Sequence, residues 1–176
     1  MKRRLALLFL VAVAAAIVWP AASSATEPNN SSDTYQLFMD QPNISQDAAG
    51  DTLGVTGHGT WSVHPKATDV SGAYTFTAAD GTSFSGTWTA TALIAFQPYG
   101  CGVVFGNPLP PNFCGGRVVF DVTATTPFGL ERGQLTIFCV IGSPPPSAEE
   151  GITAVIPSVG DFNRQLHGMN HYVKLT

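Results

Sequence analysis

Residues 71–97 read SGAYTFTAADGTSFSGTWTATALIAFQ, and their spacing decides the fold. Two near-copies, Ser71-Gly72-Ala73-Tyr74-Thr75-Phe76-Thr77 and Ser85-Gly86-Thr87-Trp88-Thr89-Ala90-Thr91, flank the turn Ala79-Asp80-Gly81. In the second arm every even position from Phe84 to Phe96 is Phe, Gly, Trp, Ala or Ile, and the odd positions 83 to 91 are all Ser or Thr. Period-two alternation of this length specifies a half-buried β-strand. A two-residue Asp80-Gly81 loop would set Phe76 against Ser85, an apolar side chain beside a polar one. A three-residue loop instead puts Gly81 where a type I turn followed by a bulge needs positive φ. It also opposes Phe76 to Phe84, Tyr74 to Gly86 and Trp88 to Gly72, so that large rings cover glycines across the strand. The outer face then carries Thr77 with Ser83 and Thr75 with Ser85.

Further strands follow outward from this hairpin. Residues 55–63 alternate with Val55, Gly57, Gly59, Trp61 and Val63 inward, and with Thr56, His58, Thr60 and Ser62 outward. Residues 117–125, 133–141 and 152–156 continue the pattern, and 171–175 closes it. Residues 34–39 suit one short additional strand. No segment carries a helical period. The expected fold is all-β, an antiparallel barrel or sandwich of about seven or eight strands, mostly a meander. In such a meander the long connections 64–70, 98–116 and 142–151 share one rim. The tight turns at Ala79-Asp80-Gly81 and 127–132 share the other, and only the loop 157–170 breaks the pattern. Long loops are where scaffolds usually carry function, so the first rim is the place to look.

The chain begins with a basic Lys2-Arg3-Arg4 group, a short apolar run and the small residues Ser23-Ser24-Ala25. This is the pattern of a signal peptide of the bacterial type, cleaved near Ala25. The apolar run falls short of the roughly 20 residues of a membrane-spanning helix. The expected organisation is therefore a signal peptide at 1–25, a flexible lead-in at 26–50 and one β domain at 51–176. The mature product is expected to be secreted or extracytoplasmic, with no membrane association. Losing Lys2, Arg3 and Arg4 leaves five basic residues against twelve acidic ones, a net charge of −7. Such a chain repels phosphate backbones, which excludes nucleic acid as a natural partner. Asn43 begins an N-x-S sequon, as do Asn29 and Asn30, and all three are read as chance in a bacterial exported protein.

Three cysteines allow three pairings. Cys101 with Cys114 is favoured because both flank one Gly/Pro-rich loop, and closing it would contribute about 3 kcal/mol. Cys139 shares parity with Leu135, Ile137 and Ile141 and reads as a core residue. Zinc would want a fourth ligand and tighter spacing. His58 and His64 share a strand face, but six residues at about 3.3 Å each separate them by roughly 20 Å, too far for one ion. His167 and His171 have helical spacing in a sequence that resists a helix. No metal and no cofactor are therefore expected.

The stretch from Gly81 to Gly86 lacks the spacing and context of a nucleophile elbow, and no catalytic set stands out. The 98–116 rim, by contrast, groups Tyr99, Phe105 and Phe113, with Phe96 and Arg117 alongside. Stapled aromatics of this kind can present a rigid contact surface, or can plug the end of a barrel. The expected function is non-enzymatic binding of a small molecule, glycan or protein partner. Tyr99, Phe105, Phe113, Arg117, His64 and Glu149 are the rim candidates. The alternative is an exported hydrolase or isomerase with Glu149, Asp69 or His64 as acid or base.

Overall fold

The computed structural model describes residues 32–176; the signal-like segment 1–25 lies outside them. The strands are β1 (Thr34–Met39), β2 (Asn43–Gln46), β3 (Thr52–Ser62), β4 (Ala67–Thr77), β5 (Ser83–Cys101), β6 (Val103–Val104) and β7 (Asn107–Pro108). They continue with β8 (Phe113–Thr126), β9 (Gly129–Cys139), β10 (Gly151–Ile156), β11 (Gly160–Phe162), β12 (Arg164–His167) and β13 (Asn170–Lys174). The fold is all-β and antiparallel, as expected, with thirteen strands where seven or eight were expected. The excess is short pieces of two to four residues, too brief to show a period.

Following the pairing from β8 through β13, β1, β3, β4 and β5 leads back to β8, so the sheet closes into a barrel. Two strands divide one of their edges between two partners. β3 gives Thr52–Val55 to β2 and His58–Ser62 to β1. β8 gives Phe113 and Cys114 to β13 and the run from Gly116 to Thr126 to β9. At the β1–β13 end the ring is narrow. At the other end it widens, with β9, β10 and β11 continuing from β8, β2 and β12 continuing from β3, and β10 and β11 packed against β2.

The hairpin register is the one the alternation predicts. Phe76 pairs with Phe84, Tyr74 with Gly86, Gly72 with Trp88, Thr77 with Ser83 and Thr75 with Ser85. Gly81 has φ of 89° and its N–H reaches the Ala78 carbonyl, closing the three-residue loop. The Trp88 ring passes beyond Gly72, and its Nε1–H donates to the Thr56 carbonyl on β3 at 2.9 Å.

Parity fails farther along β5. Irregularities between Ala90 and Ala92 and between Leu93 and Ala95 turn Leu93 inward and leave Ile94 exposed, before Phe96 returns to the core. A bulge adds one residue to one strand and shifts every later side chain by a face. Residues 92–96 are all apolar, so the sequence offered no contrast from which to read that shift.

Residues 26–50 do not all precede the domain. β1 lies between β13 and β3, with Tyr35 and Leu37 in the core. Its neighbours are polar enough to resemble a linker. Asn43 is fully buried, so its sequon is inaccessible in the folded protein. The narrow end is packed by Trp61, against which Tyr35 stacks at 5.3 Å between ring centroids. Phe96, Phe120 and Tyr172 meet Trp61 edge-on at 5.6, 6.0 and 4.9 Å. The first and last strands meet here too: Leu175 N–H donates to the Thr34 carbonyl at 2.8 Å.

Candidate functional site

The three connections lie at the narrow end, but the first is a short turn, since residues 67–70 belong to β4. Ser143 N–H donates to the Tyr99 carbonyl and Gly142 N–H to the Val103 carbonyl, joining the 98–112 and 140–150 loops. Cys101 and Cys114 form a disulfide across a registered pair of β5 and β8. Cys139 is free and fully buried, and burial pushes its thiol up to about 12.

The rim candidates fall into different settings. Phe105 is 82% exposed and adopts φ of 47°, left-handed backbone that a bulky residue rarely takes. Phe113 stacks on His171 at 5.1 Å, and the other face of that imidazole meets Phe38 at 4.9 Å. His171 Nδ1 bonds Asp40 Oδ2 at 2.7 Å. Tyr99 is half-buried, which raises its phenol, while Arg117 pulls it back down. Arg117 is exposed on β8 opposite Gln97 and Phe138. His64, Asp69 and Glu149 are all exposed. Among the described residues no group of three or more His, Cys, Asp or Glu could hold a metal ion.

The carboxyl of interest in this region is Glu150, the neighbour of the candidate Glu149. Its Oε2 accepts the Val140 N–H at 2.8 Å and its Oε1 the Asn170 N–H at 2.7 Å. Asn170 in turn exchanges side-chain hydrogen bonds with Asn43 at 2.8 and 2.9 Å, and reaches the Phe138 carbonyl at 3.0 Å. Glu150 thus ties the end of β9 to the start of β13. Adjacent glutamates look alike in sequence, and only the strand start at Gly151 separates their surroundings.

Burial raises the Glu150 carboxyl to about 7, against the pull of its two N–H donors and with a smaller push from Asp40. A group raised in the folded state stabilises fully below its unfolded value of 4.5, and that stabilisation is lost as pH rises through about 7. The loss expected between pH 4.5 and 8 is about 2–3 kcal/mol. Urea midpoints across this range should fall with pH in the wild type and fall distinctly less in Glu150→Gln. Parallel slopes in the two proteins would reject the assignment.

The cavity lies at the opposite, open end. Leu53 and Val55 of β3, Tyr74 and Phe76 of β4, Phe84 and Trp88 of β5, and Val122 and Ala124 of β8 form one wall. Leu135 of β9, Ala154 and Ile156 of β10, and Val159 form the other. Their inward alternation makes the lining almost wholly apolar, and about 50 Å³ of space is free within it. Phe84 meets Phe128 edge-on at 6.0 Å, and Phe128 is itself 85% exposed. Leu130, Val155 and Val159 are also exposed near this end. Glu131 lies in the lining and accepts a hydrogen bond from the Ser158 hydroxyl. The sequence places the two tight turns and the loop 157–170 at this end and marks neither Phe128 nor Glu131 with a role. An apolar residue in the Pro127-Phe128-Gly129-Leu130 turn, where polar residues are usual, was the available signal.

No protein-family model, curated protein or solved structure matches this chain.

Proposed function

We propose that this is an exported, non-enzymatic barrel that binds a small molecule through an apolar group received at its open end. The observation that carries the reading is the apolar cavity opening beside the exposed Phe128. Concave, mostly apolar sites with few polar groups are the usual small-molecule sites, and barrel mouths are a common place for them. The Cys101–Cys114 disulfide and the signal-like start support an oxidising, extracytoplasmic setting. Binding is favoured over acid–base chemistry because both oxygens of Glu150 are engaged by backbone N–H groups.

Titration with linear alcohols of increasing length, followed by methyl NMR, tests the assignment. Saturable shifts are expected at Leu53, Val122 and Ile156. Each added methylene should tighten binding about fourfold, or about 0.8 kcal/mol, until the free space is filled. Ala124→Leu occupies that space and should weaken binding at least tenfold with the near-UV circular dichroism retained. Absence of saturable shifts, or equal binding in a folded Ala124→Leu protein, would overturn the reading.

A further inference from the structure

The cavity described above has one charged residue in its lining, Glu131. Its Oε2 accepts from Ser158, and its Oε1 accepts no hydrogen bond among the described residues. Glu131 is half-buried at the edge of this apolar lining, and a donor that brings positive charge makes the stronger hydrogen bond to a carboxylate. The surrounding turns add charge of the same sign. Asp47 and Asp51 lie in the β2–β3 turn, Asp80 in the β4–β5 turn and Asp161 on β11. The two guanidiniums of this end face elsewhere: Arg164 bonds Gln46 at 3.1 Å, and Arg132 borders a separate surface groove with Asp121. No cationic side chain lines the cavity.

We infer that the ligand is an aliphatic amine, its alkyl chain in the cavity and its ammonium on Glu131. This rests on the cavity being the binding site. An alkyl ammonium is protonated at neutral pH, as a lysine side chain is. It supplies up to three donors to the Glu131 carboxylate, and the negative field of the acidic turns draws it toward the mouth. A carboxylic acid of the same chain length would bring its anion against Glu131. Like charges brought together are unfavourable. An alcohol of that length shares the chain but makes neither the attraction nor the repulsion.

Titrating the full chain at pH 7 and low salt with 1-propanol, propylamine and propanoate separates the possibilities, with the cavity methyl shifts as the readout. The expected order is propylamine, then 1-propanol, then propanoate, with at least tenfold between the first and last. Glu131→Gln should bring the amine-to-acid ratio down to threefold or less. Equal or tighter binding of propanoate, with 1-propanol still entering the cavity, would overturn the amine assignment alone. Failure of all three to shift the cavity methyls would instead remove the binding site, and the amine assignment with it. The wild-type ratio decides the matter even where Glu131→Gln does not fold.

Discussion

Replacing Trp61 with alanine is expected to lower stability by about 3–5 kcal/mol, as large-to-small changes at buried aromatics do. Trp61 is 1% exposed and sits where Tyr35, Phe96, Phe120 and Tyr172 converge. These rings come from β1, β5, β8 and β13, so the space left by the indole would border four strands at once. None can move in without breaking its own ladder, so the void would stay largely open. In thermal denaturation the change corresponds to a fall of about 10–20 °C in Tm for a domain of this size. Trp61→Phe should cost well under half as much. It keeps a ring in the stack, and the indole N–H it gives up has no acceptor among the described residues. Equal losses in the two variants would show that the aromatic packing is not what holds the narrow end.

Gly72→Ala is expected to cost about 3–4 kcal/mol, although it adds a single methyl group. A Cβ at Gly72 would come within 2.6 Å of the Gly57 Cα, and nearer still to the Thr56 carbonyl oxygen. Both are backbone atoms, so no side-chain rotation relieves the clash. β3 and β4 would have to separate where the Trp88 ring crosses between them to reach Thr56. Gly54→Ala supplies the contrast on the same pair of strands, since its Cβ would meet nothing nearer than the Thr75 carbonyl at 3.8 Å. That variant should change stability by about 0.5 kcal/mol or less. Urea unfolding followed by tryptophan fluorescence would compare them directly, and similar midpoints would contradict the close-approach argument.

Gly72 also marks the limit of what the sequence made legible. Alternation with a turn glycine is a local signal, and it located the hairpin to the residue, including Trp88 opposite Gly72. The same logic found Val55, Trp61 and Val118 as core residues and grouped Cys101 with Cys114. It failed where the determining contact is non-local or the pattern lacks contrast. β1 is six residues in a polar neighbourhood, and its place between β13 and β3 depends on pairing with β13, whose residues lie 131 to 139 positions farther along the chain. The bulges in β5 are hidden by a continuous apolar run. Glu150 differs from Glu149 only through Val140 and Asn170, neither of which has a sequence signature. Loop length does not rank the two rims, because it says nothing about how strands diverge. That divergence comes from β3 and β8 each sharing an edge.

The hydrogen bond between Leu175 and Thr34 has a practical consequence. The first and last described strands leave the barrel side by side at the narrow end, beside the stapled loop. A fusion partner or affinity tag joined at Thr176 would therefore stand at the far end from Phe128 and Glu131. Protein immobilised through such a tag would present its cavity mouth to the solution, the orientation that a surface-based ligand screen requires. Circular permutants are also accessible, since a short linker could bridge these adjacent strands and new termini could be cut in the Ala79-Asp80-Gly81 turn.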